Sequence, residues 1–70
     1  MRIDSMDDWL KASHKLSERG YILWQTQFDI DSTEGFIARF MHPSGKGKPA
    51  EISTKSAAVR DALLRYKPES

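Results

Sequence analysis

Four basic side chains in the second half of the chain have the clearest chemical potential. Arg39 precedes a loop, residues 43–49, with the sequence PSGKGKP. Lys46 and Lys48 lie in that loop, and Lys55 follows it. Cationic side chains concentrated in one stretch bind phosphate groups or acidic proteins. We therefore expect these four residues to lie near one another beside a small sheet and to contact nucleic acid.

The net charge of the chain is only +1, but the sign of the charge changes along it. Residues 1–35 hold four basic and seven acidic side chains, whereas residues 36–70 hold seven basic and three acidic ones. A small domain can acquire such an asymmetry by chance. The overall charge predicts no strong non-specific affinity for nucleic acid, so phosphate contacts are expected only from the basic half.

Other polar clusters do not have the spacing of a known catalytic or metal-binding site. His14 and His42 are the only histidines and match no H-E-x-x-H pattern. Asp29, Asp31 and Glu34 span too few positions for a calcium loop, and turn formation explains them better. The Gly-Lys loop lacks the P-loop spacing. We expect no metal, no cofactor and no catalytic residue.

Size and composition favour a binding module over an enzyme. Seventy residues make one domain, spanning 1–70, which buries only about 60% of its unfolded surface and has no room for a deep cavity. The chain has no cysteine, which argues against a small secreted scaffold. It has neither a signal-peptide pattern nor a long apolar run, so we expect a cytoplasmic protein without membrane contact.

Two amphipathic segments predict helices at the two ends of the chain. Residues 5–19 carry an apolar stripe at helical spacing, with Ser5 as the cap and Gly20 as the stop. The second helix starts at Thr54 or Ser56 and ends at Pro68. Between the helices, alternating apolar residues predict strands over 21–30, 36–42 and 50–53.

The predicted order is therefore α-β-β-β-α, an α+β domain with two helices on a three-stranded antiparallel sheet. If both helices cover the same face, one set of apolar side chains forms the core. That set is Met6, Trp9, Leu10, Leu16, Ile22, Trp24, Phe28, Ile30, Phe36, Ala38, Phe40, Ile52, Val59, Ala62, Leu63 and Tyr66.

The opposite face of the sheet supplies a second candidate surface. Strict alternation places Leu23, Ile37 and Met41 on that face, where exposed apolar groups would bind a protein partner or a second copy of the chain. The alternative is one helix on each face, which would bury these three residues. The sequence does not decide between a nucleic-acid partner and a protein partner.

Part of the chain resembles the double-stranded RNA-binding domain. The matching segments are GKGK at 45–48 and TKSAAVRDALL at 54–64, in the same α-β-β-β-α order. The resemblance implies phosphate binding by lysines at the start of the second helix and contact of the first helix with the minor groove. Here Lys55 is the only lysine at that start, and Asp7 and Asp8 open the first helix.

Two further resemblances are to families that act on RNA or bind DNA. SERGYIL at 17–23 and RFMHPSGKG at 39–47 are similar to HicA-type RNA-cleaving toxins, but the catalytic histidine of that family is missing from Gly35-Phe36-Ile37. FIARFMHPSGKGK at 36–48 and STKSAA at 53–58 resemble the arm-type DNA-binding domains of tyrosine recombinases. That likeness implies DNA contacts by the same four basic residues. Small phage and prophage proteins of unassigned function fit equally well.

Overall fold

The computed structural model describes residues 1–28 and 35–68, which form two helices and a three-stranded antiparallel sheet. The elements are α1 (Met6–Glu18), β1 (Ile22–Phe28), β2 (Phe36–Met41), β3 (Ala50–Thr54) and α2 (Ala57–Leu64). The strands lie in the order β1-β2-β3, and each pairs antiparallel with its neighbour. The predicted α+β class and the α-β-β-β-α order are confirmed.

Local chemistry explains where α1 starts and stops. The Ser5 hydroxyl accepts a 3.2 Å hydrogen bond from the Asp8 N–H, which satisfies one free donor of the first turn. Asp7 and Asp8 also suit the positive end of the helix dipole. Gly20, with φ +72°, then turns the chain into β1.

The second helix is shorter than predicted. Ser56 is its N-cap, and the Ser56 hydroxyl accepts a 3.3 Å hydrogen bond from the Val59 N–H. Thr54 belongs to β3, and its hydroxyl is buried and hydrogen-bonded to Asp4. The helix ends at Leu64 and does not continue to Pro68.

Both helices pack on the same face of the sheet. Trp9 of α1 lies 6.3 Å from Phe40 of β2 and 6.0 Å from Tyr66 beyond α2, measured between ring centroids. This aromatic cluster joins both helices to one sheet face, so the arrangement with one covered face is the observed one. The buried apolar residues are Ile3, Trp9, Leu16, Phe36, Ala38, Phe40, Ile52, Val59 and Leu63.

A β-bulge in β1 overturns part of the predicted alternation. Leu23 pairs with Phe40 and Gln25 pairs with Arg39, so Trp24 is an extra residue between them. Leu23 therefore shares the covered face with Phe40 and packs against the core. The prediction that Leu23 is exposed on the open face is wrong. The inserted residue, Trp24, reverses which face of the sheet the preceding residues of β1 occupy.

The same bulge changes two other assignments. Ile22 pairs with Met41 and so belongs to the open face, where the prediction had it in the core. Trp24 is 49% exposed and does not belong to the core either. The predicted core position Ile30 lies outside the described residues.

Three further predicted core residues are exposed, namely Met6, Leu10 and Phe28. In α1 the buried positions are Trp9 and Leu16, so the helix presents a narrower stripe to the sheet than the sequence pattern suggested. Phe28 pairs with Phe36 and so belongs to the face that the helices cover. It lies on an outer strand, however, and stays 66% exposed.

Candidate functional site

The loop between β2 and β3 holds Lys46 and Lys48 in a defined conformation. Gly45 and Gly47 have positive φ angles of +78° and +82°, which residues other than glycine rarely adopt. The Gly45 N–H donates a 2.9 Å bond to the His42 carbonyl oxygen. The His42 Nδ1 atom lies 2.7 Å from the Ser44 Oγ atom, and that oxygen also accepts from the Lys46 N–H at 3.3 Å.

Tyr21 ties this loop to both helices. Its hydroxyl donates a 3.0 Å hydrogen bond to the Lys48 carbonyl oxygen, and its N–H donates to the Leu16 carbonyl oxygen of α1. The Tyr66 hydroxyl donates a 2.7 Å bond to the Tyr21 carbonyl oxygen. Partial burial raises the pKa of the Tyr66 phenol, so this donor keeps its proton.

The carboxyl ends of both helices lie at the same end of the sheet as this loop. β1 starts there, because Ile22 pairs with Met41, the last residue of β2. α1 leads into β1 through Gly20, so its last turn lies at this end. α2 starts at the opposite end, after β3, and Tyr66 beyond its C-cap reaches Tyr21.

This arrangement gathers six exposed basic side chains, which we call the basic end. The negative ends of the helix dipoles favour the four cations nearest to them, and the loop contributes the other two. In the described part of the chain, none of the six takes part in an ion pair. The six residues are Lys15, Arg19, Lys46, Lys48, Arg65 and Lys67.

The one acidic residue in the last turn of α1 contacts a histidine and forms no ion pair with the six described basic side chains. Glu18 Oε1 lies 2.9 Å from His14 Nε2, one helical turn before it. Both side chains are exposed, so solvent screens the charge of Glu18. Glu18 therefore weakens the positive potential around the six basic residues only slightly. The basic end is therefore a surface on which an anionic ligand meets cations that no described carboxylate neutralises.

Lys55 lies at the other end of the molecule from Lys46 and Lys48. The five residues of β3 separate them, a rise of roughly 17 Å. The Lys55 N–H donates a 2.8 Å hydrogen bond to Asp4 Oδ1. This bond, followed by the Arg2 guanidinium, lowers the pKa of Asp4 below its ordinary value of 3.8. Asp4 also forms a 2.7 Å ion pair with Arg2, so Lys55 lies beside a carboxylate that is already paired with another cation.

Arg39 is already engaged on the open face of the sheet. Its Nε atom donates a 3.0 Å bond to Glu51 Oε2, and its Nη1 atom donates to the side-chain oxygens of Gln25 and Gln27 at 3.1 Å each. These bonds use three of the five N–H donors of the guanidinium, and Glu51 already pairs with its charge, so Arg39 attracts phosphate less than a free arginine does. The structure thus does not bring the four sequence-predicted basic residues together.

The open face also carries the two remaining residues of the predicted protein interface. Ile37 and Met41 are half-buried there, and Ile22 joins them in place of Leu23. The Arg39 network lies between Ile37 and Met41 in the strand, so the face is a polar centre flanked by apolar side chains.

The sequence analysis did not identify Lys15, Arg19, Arg65 and Lys67, because the two helix ends are far from the loop in the chain. A usable signal was present, since basic residues lie in the last turn of each predicted helix. In an α-β-β-β-α order with antiparallel neighbours, both helices end where the second and third strands are joined. Combining these two observations would have pointed to the basic end.

Comparison with known proteins identifies no relative: no family model, curated protein or solved structure matches the chain. Within residues 1–28 and 35–68, no three side chains of the metal-binding types are grouped to hold an ion. Asp29, Asp31 and Glu34 lie outside this part. No helix of the described part has the length and apolar character needed to cross a membrane.

Proposed function

We propose that this chain is a non-enzymatic binding module that holds the phosphate backbone of nucleic acid against its basic end. The observation that carries the proposal is the set of six exposed cations, free of ion pairs with described residues, on three segments joined through Tyr21. Phosphate contacts of this kind position a nucleic acid without reading its sequence.

The proposal differs in one respect from what the family resemblance implies. In double-stranded RNA-binding domains, lysines at the start of the second helix bind phosphate. Here the Lys55 N–H is bonded to Asp4, which is also paired with Arg2, and α1 starts at the same end of the sheet with Asp7 and Asp8 in its first turn. Like charges repel, so these carboxylates disfavour a phosphate at that end. The opposite end, where the positive charge accumulates, is the better candidate.

Salt dependence of binding to short duplex DNA and duplex RNA tests the proposal. If all six cations contact phosphates of duplex DNA, the logarithm of the association constant falls with the logarithm of the salt concentration with a slope of about −5. The matched variants are Lys46→Gln/Lys48→Gln at the basic end and Arg2→Gln/Lys55→Gln at the opposite end of the sheet. Both remove two positive charges from exposed positions.

We expect the basic-end pair to reduce the slope by about two and the control pair to leave it nearly unchanged. Amide shifts should map to residues 15–21, 42–48 and 65–67. Equal losses in both variants would mean that only net charge matters. An absence of binding at about 20 mM salt, where screening is weak, would also contradict the proposal.

A second candidate function is docking of a protein partner on the open sheet face. Its support is the apolar set of Ile22, Ile37 and Met41 on a face that neither helix covers. An apolar patch flanking a hydrogen-bonded arginine has the composition of many protein interfaces.

The variant Ile37→Ser/Met41→Ser tests this second candidate. If the face docks a partner or a second copy, association measured by sedimentation should be lost while the melting temperature falls only slightly. A large loss of thermal stability would instead mean that these side chains stabilise the monomer. Arg60→Ser/Leu64→Ser on α2 serves as the control, because it changes a helix surface away from the sheet.

A further inference from the structure

One outer edge of the sheet is covered by another segment of the chain, and the other edge is not covered by any segment that the structure describes. Beyond β3, the N-terminal residues add a short parallel segment: the Ile3 N–H donates to the Ser53 carbonyl oxygen at 2.9 Å, and the Ser53 N–H donates to that of Met1 at 2.8 Å. The outer edge of β1 has no such cover, since no described residue other than those of β2 pairs with this strand.

The sequence of β1 also lacks the usual protection of an exposed edge. Native edge strands avoid pairing with other chains through charged residues, proline or very short length. β1 has seven residues, ILWQTQF, without a charge or a proline, whereas β2 contains Arg39 and β3 contains Glu51. The bulge at Trp24 distorts the start of the strand but leaves residues 25–28 in regular register.

Two large aromatic side chains are exposed on this same strand. Trp24 is 49% and Phe28 66% exposed, and both belong to the residue types that are enriched in protein interfaces. An antiparallel pair of β1 strands about a two-fold axis at Thr26 would set Trp24 of one copy opposite Phe28 of the other. Gln25 would lie opposite Gln27, and no charge would meet a like charge.

We propose that the occupant of the β1 edge is a second copy of this chain, which pairs β1 with β1 in antiparallel orientation to form a continuous six-stranded sheet. The arrangement is isologous, so each copy contributes the same strand and the assembly closes as a dimer. It uses the strand edge and neither the basic end nor the centre of the open face, so it does not depend on the proposed function. One paired strand buries less area than a typical stable interface, and the dimer is therefore expected to be weak.

Charge placed at the axis gives a direct test by sedimentation over a range of concentrations. The wild-type chain should shift from the 8.0 kDa monomer towards twice that mass as concentration rises. Thr26→Lys places two like charges opposite each other and should keep the chain monomeric, whereas Thr26→Val should preserve the dimer. An equimolar mixture of Thr26→Lys and Thr26→Glu should restore it, because residue 26 meets residue 26.

A cysteine at the axis gives a second readout that does not depend on affinity. The chain has no cysteine, and directly opposed residues in antiparallel strands have Cα atoms about 4.5–5.5 Å apart, within reach of a disulfide. Under mild oxidation Thr26→Cys should form a covalent dimer much faster than the loop variant Ser44→Cys. Equal cross-linking rates, a wild-type monomer at every concentration, or a dimer lost in Ile37→Ser/Met41→Ser but kept in Thr26→Lys would each overturn the proposal.

Discussion

The hydroxyl of Tyr66 donates a 2.7 Å hydrogen bond to the carbonyl oxygen of Tyr21, 45 residues earlier in the chain. The Tyr66 ring meanwhile packs edge-on against Phe40, with centroids 5.2 Å apart. One side chain thus links the segment after α2, the start of β1 and the middle of the core. Because Tyr21 also holds the β2–β3 loop through the Lys48 carbonyl, this contact orders the basic end.

Replacing Tyr66 by phenylalanine removes that hydrogen bond. Tyr66→Phe keeps the ring contacts but leaves the Tyr21 carbonyl without its donor, so the free energy of unfolding should fall by about 1 kcal/mol. Urea denaturation measures the change. Tyr21→Phe is the comparison, since it deletes a more exposed bond and should cost less. A Tyr66→Phe variant as stable as the wild type would mean that the contact does not contribute to folding.

The second prediction separates the two tryptophans. Trp9 is 4% exposed and Trp24 is 49% exposed. Trp9→Ala should cost about 3–5 kcal/mol, most of the stability of a domain this small. Trp24→Ala should cost no more than about 1 kcal/mol when measured at concentrations that keep the chain monomeric. Thermal melts of the two variants decide the point, and the reverse ranking would place Trp24 in the core, where the sequence pattern had assigned it.

Acid should remove the stability that ionised Asp4 contributes. The Lys55 N–H and then the Arg2 guanidinium lower the pKa of Asp4 in the folded state below 3.8. Ionised Asp4 therefore contributes stability that is complete above the unfolded pKa and is lost as pH falls through the folded pKa. Asp4→Asn, which keeps an oxygen acceptor without the charge, should be less stable than the wild type at about pH 7. The difference should shrink towards about pH 2, as followed by denaturant titration at each pH.

The fourth prediction compares two glycines of the β2–β3 loop. Gly45→Ala and Gly47→Ala each place a side chain in a left-handed conformation, which costs about 1–2 kcal/mol. A Cβ atom at Gly47 would also lie 3.3 Å from the Tyr21 hydroxyl oxygen, while one at Gly45 would meet nothing within 4 Å. Gly47→Ala should therefore lower the melting temperature more. Equal effects would show that Tyr21 yields without cost.

The candidate site was only partly predictable from the sequence. Lys46 and Lys48 were found because the Gly-Lys loop is a local feature, and both belong to the basic end. Arg39 and Lys55 were grouped with them by proximity in the chain, but a strand carries neighbours apart by about 3.3 Å per residue. Lys15, Arg19, Arg65 and Lys67 lie near the loop lysines only because both helices run towards that end of the sheet.

The sequence alone specifies the fold class, the order of elements and most of their ends, because helix caps, turn glycines and hydrophobic periods act over a few residues. It also determined that Phe36, Ala38 and Phe40 face one way. Three features follow from long-range packing instead: both helices share that face, Leu23 packs against the core at the bulge, and Trp24 stays exposed. Those outcomes depend on which β1 residue pairs with which β2 residue, and a single extra residue reverses the facing without leaving a trace in the alternating pattern.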